Sequence, residues 1–343
     1  MDRQTLSNYG WIVITVLILA VMLAFATPFG KYIGKGVSNF AMSLVGASDN
    51  AVDSNNMEQM GNYWDDYFAS GGYDHYAKEL HPTGIDFGDG RTAPKDNDTY
   101  EYGDYKYTYR TSSKGWGVNV LDKTKDTYGP ILESINGEPV TSMVSTFSGC
   151  TSLTTAPVIP SSVTDMQGTF IKCTSLKTAP KIPSGVTNMV STFSGCASLT
   201  TAPEIPISVT NMQGTFQNCT SLTTAPVIPS SVTHMKYTFY KCTSLTTAPE
   251  IPSGVTDLTQ TFEGCTSLTT APDMSNASSV TNMYSTFSGC TSLTTAPVIP
   301  SSVTHMWHTF ADCTSLANMP TIPIGVKPSD QSQIFDGCTQ FGY

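Results

Sequence analysis

Nine cysteines recur at one phase of the chain, and their thiols are the groups that could do chemistry in every repeat. Metal sites favour close pairs such as Cys-x-x-Cys, which this sequence lacks. Thiols one strand spacing apart, ~5 Å, could be joined as disulfides, whereas an odd count and identical surroundings favour free, buried side chains. We therefore expect a structural ladder of free thiols at Cys150, Cys173, Cys196, Cys219, Cys242, Cys265, Cys290, Cys313 and Cys338.

The histidines and acidic residues do not form a set that predicts catalysis. His234 and His305 share a repeat phase but lie three repeats apart, about 15 Å at one strand spacing per repeat, so they cannot share a metal ion. The acidic, glycine-bearing loop at 86–98 could hold calcium, but its spacing differs from an EF-hand. Because no nucleophile, base and acid converge, we expect a non-catalytic protein without a cofactor.

The structural elements that position these residues are predicted from a repeat, which is seen in the intervals between the cysteines. Six of the eight intervals between cysteines are 23 residues and two are 25, which predicts a solenoid of about eight coils. Two prolines in each unit exclude one helix, and a spacing of three between apolar residues excludes one strand. Stacked coils can bury a shared core that one coil cannot. In the coil from Cys150, the inward residues are predicted to be Leu153, Ala156, Ile159, Val163, Met166, Phe170 and Cys173.

Each coil should have three sides. Ala156–Pro160 is predicted to be extended, because each proline restricts the residue before it. Val163–Met166 is predicted to be a short strand that pairs in parallel with the next coil. Gln167–Cys173 is predicted to form a helical turn that carries Phe170 inward.

The phrase Val-Thr-x-Met-x-x-Thr-Phe-x-x-Cys-Thr-Ser-Leu recurs from about residue 141 to 338 and resembles the 23-residue leucine-rich repeat of BspA-like bacterial surface proteins. The resemblance implies an α/β solenoid of short parallel strands and helical turns. It also implies an exported protein whose role is adhesion or the binding of a partner. Pro157 and its equivalents depart from the usual pattern, since they interrupt the first strand.

The N-terminal segment 1–47 contains a 17-residue apolar run at 11–27 without a charge. We interpret it as a membrane helix, followed by a short amphipathic segment at the membrane surface. A signal peptide cleaved after Ala24-Phe-Ala26 is an alternative and would give a secreted protein. A pilin-like start after Gly10 is a third interpretation, although Thr15 stands where pilins have glutamate.

The orientation of this anchor has two conflicting indications. Lys31 and Lys35 outnumber Arg3, so the positive-inside rule places the repeats in the cytoplasm. The family resemblance implies that the repeats lie outside the cell, and we follow the resemblance.

The rest of the chain divides into three predicted parts. Residues 48–97 are interpreted as an acidic spacer, 98–140 as a β-hairpin cap over the open apolar end of the stack, and 141–343 as the solenoid. The hairpin is indicated by the alternation in Tyr105–Arg110 and the returning strand Trp116–Val120. A net charge of −10 argues against nucleic acid as a partner.

The outward positions after Met and after Phe vary from coil to coil, and in the C-terminal coils they are aromatic and cationic. Such surfaces are typical of recognition sites, although an unconstrained surface also varies. We expect a surface protein that binds an extracellular protein or glycan; the alternative is a structural subunit of a filament or layer assembled through the N-terminal helix. The candidate binding residues are Lys236, Tyr237, Tyr240, Lys241, Tyr284, Trp307 and His308.

Overall fold

The computed structural model describes residues 80–88 and 90–341. The predicted membrane segment at 11–27, the whole of 1–47 and most of the spacer 48–97 lie outside the described residues. Within the described part, no helix combines the length and apolar character needed to cross a membrane. The membrane anchor and the filament alternative, which rest on the same N-terminal segment, stay predictions.

A five-stranded sheet precedes the repeats. Its middle strands alternate as the sequence indicates, because Tyr105 and Tyr107 are fully buried while Lys106 is exposed. In spatial order the strands are β1, β2, β3, β5 and β4; β3 and β5 pair in parallel and the other neighbours are antiparallel. Their bounds are β1 Thr99–Tyr102, β2 Tyr105–Arg110, β3 Gly115–Val120, β4 Ser134–Ile135 and β5 Glu138–Ser142.

The sheet contacts the first coil through aromatic rings. The ring centroids of Tyr105 and Tyr128 lie 6.2 Å and 5.1 Å from that of Phe147. The buried hydroxyl of Thr146 donates a hydrogen bond of 2.7 Å to the carbonyl oxygen of Val118 in β3. Apolar contacts and a hydrogen bond from a side chain to the backbone thus join the sheet to the repeats, while the assignment of 98–140 as a separate cap stays a prediction.

The coils stack through two rows of parallel single-residue bridges. One row begins at Ser142, which pairs with Asp165, and continues to His234; it resumes at Asp257 and ends at His305. The second row joins Thr155 to Thr178 and continues to Thr295. The predicted strand at Val163–Met166 is therefore shorter than expected, with one bridging residue per coil.

The core between these rows is a continuous stack of identical side chains. From Phe147 to Phe335, successive phenylalanine rings lie 5.3–5.8 Å apart and within 11° of parallel. The predicted inward leucine, valine, methionine and cysteine positions are buried, and Ala156 is half-buried. A threonine hydroxyl is also buried in each coil from Thr146 to Thr309. From Thr169 onward it donates to the carbonyl oxygens of inward methionines, or of Leu258 where that residue replaces methionine.

The predicted helical turn at Gln167–Cys173 is wrong. Two residues of this segment, Gly168 and Lys172, have φ of 62° and 57°, in the left-handed region, and equivalent positions repeat this along the stack. Every second amide donates to the next coil, as Phe170 does to the carbonyl oxygen of Thr192 at 2.8 Å. An α-helix needs each amide for the carbonyl four residues earlier, so these bonds between coils exclude it.

Two short helical pieces lie near the C-terminal end of the described residues. The four-residue helix α1, Pro328–Gln331, lies in the second of the two longer repeat intervals. A 3₁₀ turn follows at Thr339–Phe341. The longer interval therefore accommodates its extra residues outside the stacked core.

Candidate functional site

The seven candidate residues lie on the outer side of the coils, next to the bonds that join one coil to the next. Inward methionine and phenylalanine side chains anchor each coil, so the residues that follow them face outward. We call this surface the aromatic face; its side chains are half-buried to exposed. It consists of Lys236, Tyr237, Tyr240, Lys241, Tyr284, Trp307 and His308.

The first group of the aromatic face belongs to one coil. Tyr237 and Tyr240 meet edge to face with ring centroids 6.3 Å apart, and Lys241 Nζ lies 5.0 Å from the Tyr240 centroid. Lys236 Nζ lies 2.9 Å from Asp257 Oδ2 in the next coil. The group therefore offers two rings, one cation over a ring and one cation already paired.

Asp257 is held ionised at this position. Burial raises the pKa of its carboxyl, but hydrogen bonds from Thr259 and Lys236 outweigh burial and lower the pKa below its usual value. The Thr259 amide donates to Asp257 Oδ1 at 2.8 Å. The ion pair with Lys236 is thus fixed to the backbone, which orients the cation along the face.

The second group is a stack of three rings. Tyr284 and Trp307 lie 4.9 Å apart with 23° between their planes. The His308 ring lies 3.6 Å from Trp307 and 14° from parallel, and His308 Nε2 contacts Asp336 Oδ2 at 3.2 Å. Both faces of the indole are covered, so a ligand meets the ring edges and the outer side of Tyr284.

Tyr237 and His308 occupy a backbone position that favours glycine. Their φ angles are 58° and 54°, and the equivalent residues Gly168 and Gly214 have φ of 62° and 63°. A side chain with a Cβ in this region costs roughly 1–2 kcal/mol. Two of the largest side chains of the aromatic face therefore lie at a position where glycine would have a lower backbone conformational free energy.

The same two coils also have histidine at the bridging position, which the sequence reasoning did not connect to the site. In the row of bridges, Asn211 and Asn282 each accept a hydrogen bond from the amide two residues later. His234 and His305 replace this side chain, and the Nδ1 of each lies 2.9 Å from the hydroxyl of the preceding threonine. The signal was the shared phrase Thr-His-Met before the outward lysine or tryptophan.

The structure places the nine cysteines as free, buried thiols. From Cys173 onward each thiol donates to the carbonyl oxygen of the phenylalanine in the preceding coil, for Cys242 to Phe216 at 3.1 Å. Burial raises the pKa of every thiol, to about 12 for Cys219 and Cys265. Neutral thiols of this kind are poor nucleophiles.

Asp96 and Asp98 of the acidic loop at 86–98 have hydrogen-bond partners among the described residues. Arg91 Nη1 lies 2.6 Å from Asp98 Oδ2, and this bond lowers the pKa of Asp98. Asp96 accepts from the amide of Thr111 at 3.0 Å. Among residues 80–88 and 90–341, no three histidine, cysteine or carboxylate side chains form a group that could hold a metal ion.

A shallow groove on the proline side of the coils is a second concave surface. It is lined by Val227 and Ile228 of one coil, Pro249 and Glu250 of the next, and Asn276 of the longer turn. Val227 is 86% exposed, while Glu250 accepts a hydrogen bond from Asn276. The groove lacks the rings and cations that distinguish the aromatic face.

Coils of this length, joined by short parallel bridges around a leucine-bearing core, define a leucine-rich-repeat protein. The chain belongs to the BspA-type leucine-rich repeat family, whose model matches residues 140–269 and 214–341 in six copies. The resemblance found in the sequence is thereby confirmed. No curated protein matches the sequence.

Solved structures of bacterial leucine-rich repeat proteins are similar to the chain. The T. pallidum leucine-rich repeat protein TpLRR is 28% identical, with 55% of this chain and 88% of that chain covered and a TM-score of 0.47. A leucine-rich cell surface protein from Faecalibacterium prausnitzii is 19% identical, with 72% and 93% covered and a TM-score of 0.32. The pneumococcal vaccine antigen PcpA is 15% identical, with 65% and 81% covered and a TM-score of 0.27.

Proposed function

We propose that this protein is a non-catalytic binding protein of the bacterial cell surface, which mediates adhesion by binding an extracellular protein or glycan through the aromatic face. Membership of the BspA-type family supports the surface location. In this proposal residues 11–27 hold the chain in the membrane with the repeats outside; a secreted form after signal cleavage would use the same face.

One observation carries the proposal: Tyr237 and His308 place rings at a left-handed backbone position that two other coils fill with glycine and the remaining coils with serine or glutamine. Backbone strain persists where the surroundings impose it and is often found at functional sites. Here the strained side chains lie beside exposed rings and cations rather than in the core. A surface kept at the expense of stability is expected to have a partner.

The composition of the face favours recognition over an inert surface. Tyrosine, tryptophan and arginine are the residues that most often dominate binding energies, and three tyrosines and one tryptophan lie within four coils here. The Lys236–Asp257 ion pair and the contact of His308 Nε2 with Asp336 orient side chains between neighbouring coils. A preorganised surface loses less side-chain entropy when a ligand binds.

The test compares three glycine variants of the full-length chain. Tyr237→Gly and His308→Gly should fold as stably as the native protein, because relief of backbone strain offsets the lost ring contacts. Each should lose at least tenfold in binding to panels of extracellular-matrix proteins and glycans. Ser191→Gly is the matched control, since Ser191 has φ of 53° at the same coil position outside the aromatic face.

Binding should be measured by surface-based affinity assays and by adherence of cells that display each variant. If Ser191→Gly lowers binding as much as Tyr237→Gly, the effect belongs to the backbone and not to the face. If neither Tyr237→Gly nor His308→Gly lowers binding, the aromatic face is not the binding surface.

A further inference from the structure

Two similar subsites lie on and beside the aromatic face. Each has a histidine in the row of bridges, two outward side chains after the following methionine, and a carboxylate in the next coil that pairs with one of them. No other coil among the described residues has a histidine at this position. Subsite 1 is His234, Lys236, Tyr237 and Asp257, and subsite 2 is His305, Trp307, His308 and Asp336.

The distance between the subsites follows from the stacking. The same coil position advances one coil at a time from His234 through Asp257 and Asn282 to His305, three coils in all. At one strand spacing per coil this is roughly 15 Å. The phenylalanine stack is continuous across these coils, so the separation is rigid. A ligand that contacts both subsites must be extended along the stack.

The groups at both subsites suit hydroxyl-bearing ligands. With Nδ1 of each histidine close to a threonine hydroxyl, Nε2 is the ring nitrogen left for a ligand. Imidazole, phenol and carboxylate groups can donate to or accept from hydroxyls, and the Tyr237 ring can pack against the apolar side of a sugar. Lys236 is paired with Asp257 and His308 with Asp336, so a strongly anionic polymer gains little there.

We propose that the aromatic face binds a neutral, linear polysaccharide that lies along the stack and occupies both subsites at once. This inference rests on the proposed function and names the partner class and the mode of binding. Occupation of the second subsite by the same chain is an intramolecular step, which can raise the overall affinity by about 10²–10⁴ over one subsite. Affinity should therefore rise abruptly when the ligand reaches ~15 Å.

The first experiment uses full-length protein and calorimetric titration with neutral β-linked gluco-, manno-, xylo- and N-acetylglucosamine oligomers of increasing length. At least one series should show the abrupt rise. His234→Asn and His305→Asn install the side chain found at Asn211 and Asn282, so folding is preserved. Each variant should abolish the rise and leave the weak binding of short oligomers, whereas Asp165→Asn, which copies Asn188 and keeps an oxygen acceptor for the Gln167 amide, should change nothing.

The second experiment changes the spacing alone. Duplication of residues 243–265, one 23-residue coil between the subsites, should move the rise to ligands ~5 Å longer. Duplication of residues 174–196, also one 23-residue coil but before both subsites, should leave the rise where it was. An unchanged rise in the first duplication would overturn the two-subsite mode.

The outcomes separate this inference from the proposed function. Length-independent binding, or binding to none of the four series, would refute the polysaccharide inference. If a protein partner were then lost on Tyr237→Gly but not on Ser191→Gly, the aromatic face would remain a binding surface for that protein. If no ligand depended on Tyr237 or His308, both proposals would fail together.

Discussion

Raising the pH toward about 9.5 should unfold the coil stack, because nine neutral thiols are buried in it. Their pKa values in the folded chain are raised by burial, to about 12 for Cys219 and Cys265. In the unfolded chain a cysteine ionises at about 8.5. Above that pH the unfolded chain releases protons that the folded chain keeps. The free energy of unfolding is therefore at its full value below about pH 8.5 and decreases as the pH rises.

The magnitude follows from proton linkage. One pH unit above its unfolded pKa, a thiol that ionises only in the unfolded chain lowers the free energy of unfolding by about 1.4 kcal/mol. If all nine thiols become exposed in one transition, the loss is roughly 13 kcal/mol at about pH 9.5, comparable to the whole stability of an ordinary domain. Tyrosines titrate near 10, so this window belongs mainly to the thiols.

The assay is denaturant unfolding at a series of pH values between about 7.5 and 9.5 under reducing conditions, followed by circular dichroism. The slope of stability against pH counts the thiols that are exposed in one cooperative transition. Cys242→Ala should lower that slope by one proton, whatever it does to absolute stability. A flat profile through pH 9.5 would refute the reasoning, because it would mean that the thiols are not kept neutral by the fold.

Three substitutions in the coils test the packing. Thr238→Val should cost only about 1 kcal/mol, because the Met212 and Met235 carbonyl oxygens keep hydrogen bonds from other threonines; a loss above about 3 kcal/mol in chemical denaturation would contradict this. Phe239→Ala removes a ring stacked at 5.6 Å on both sides and should cost about 3–5 kcal/mol, and a loss below 1 kcal/mol would show that the stack relaxes. Gly264→Ala should lower the melting temperature, because φ is 72° and an added Cβ would lie 3.0 Å from a lysine side chain; an unchanged temperature would argue against the left-handed backbone there.

The repeat phase and its inward residues could be predicted from the sequence because each depends on one coil and its immediate neighbours. Apolar residues at fixed offsets from Cys150 had to face a shared core, and the structure buries them. The shape of the Gln167–Cys173 side could not be predicted in this way. Its local sequence is compatible with a helix, and the bonds that decide against the helix go to another coil.

The residues of the aromatic face could be predicted from the sequence, but the contacts between them could not. Outward rings and cations can be counted from the sequence, yet the pairs Lys236 with Asp257 and His308 with Asp336 join different coils. They depend on the register between coils, which the sequence shows only as a period. The left-handed backbone at Tyr237 was equally hidden, since the glycines at the equivalent positions alternate with serine, glutamine and histidine.

Each coil offers the next coil nearly the same carbonyl and amide groups, and this affects how such a chain can evolve. A gene with tandem units of one length is prone to unequal recombination, and a gain or loss of exactly one unit would restore the same carbonyl and amide partners at the new junction. The descendant proteins would differ in reach by increments of ~5 Å while keeping their interior unchanged. Length, rather than surface chemistry alone, is thus a trait on which selection can act.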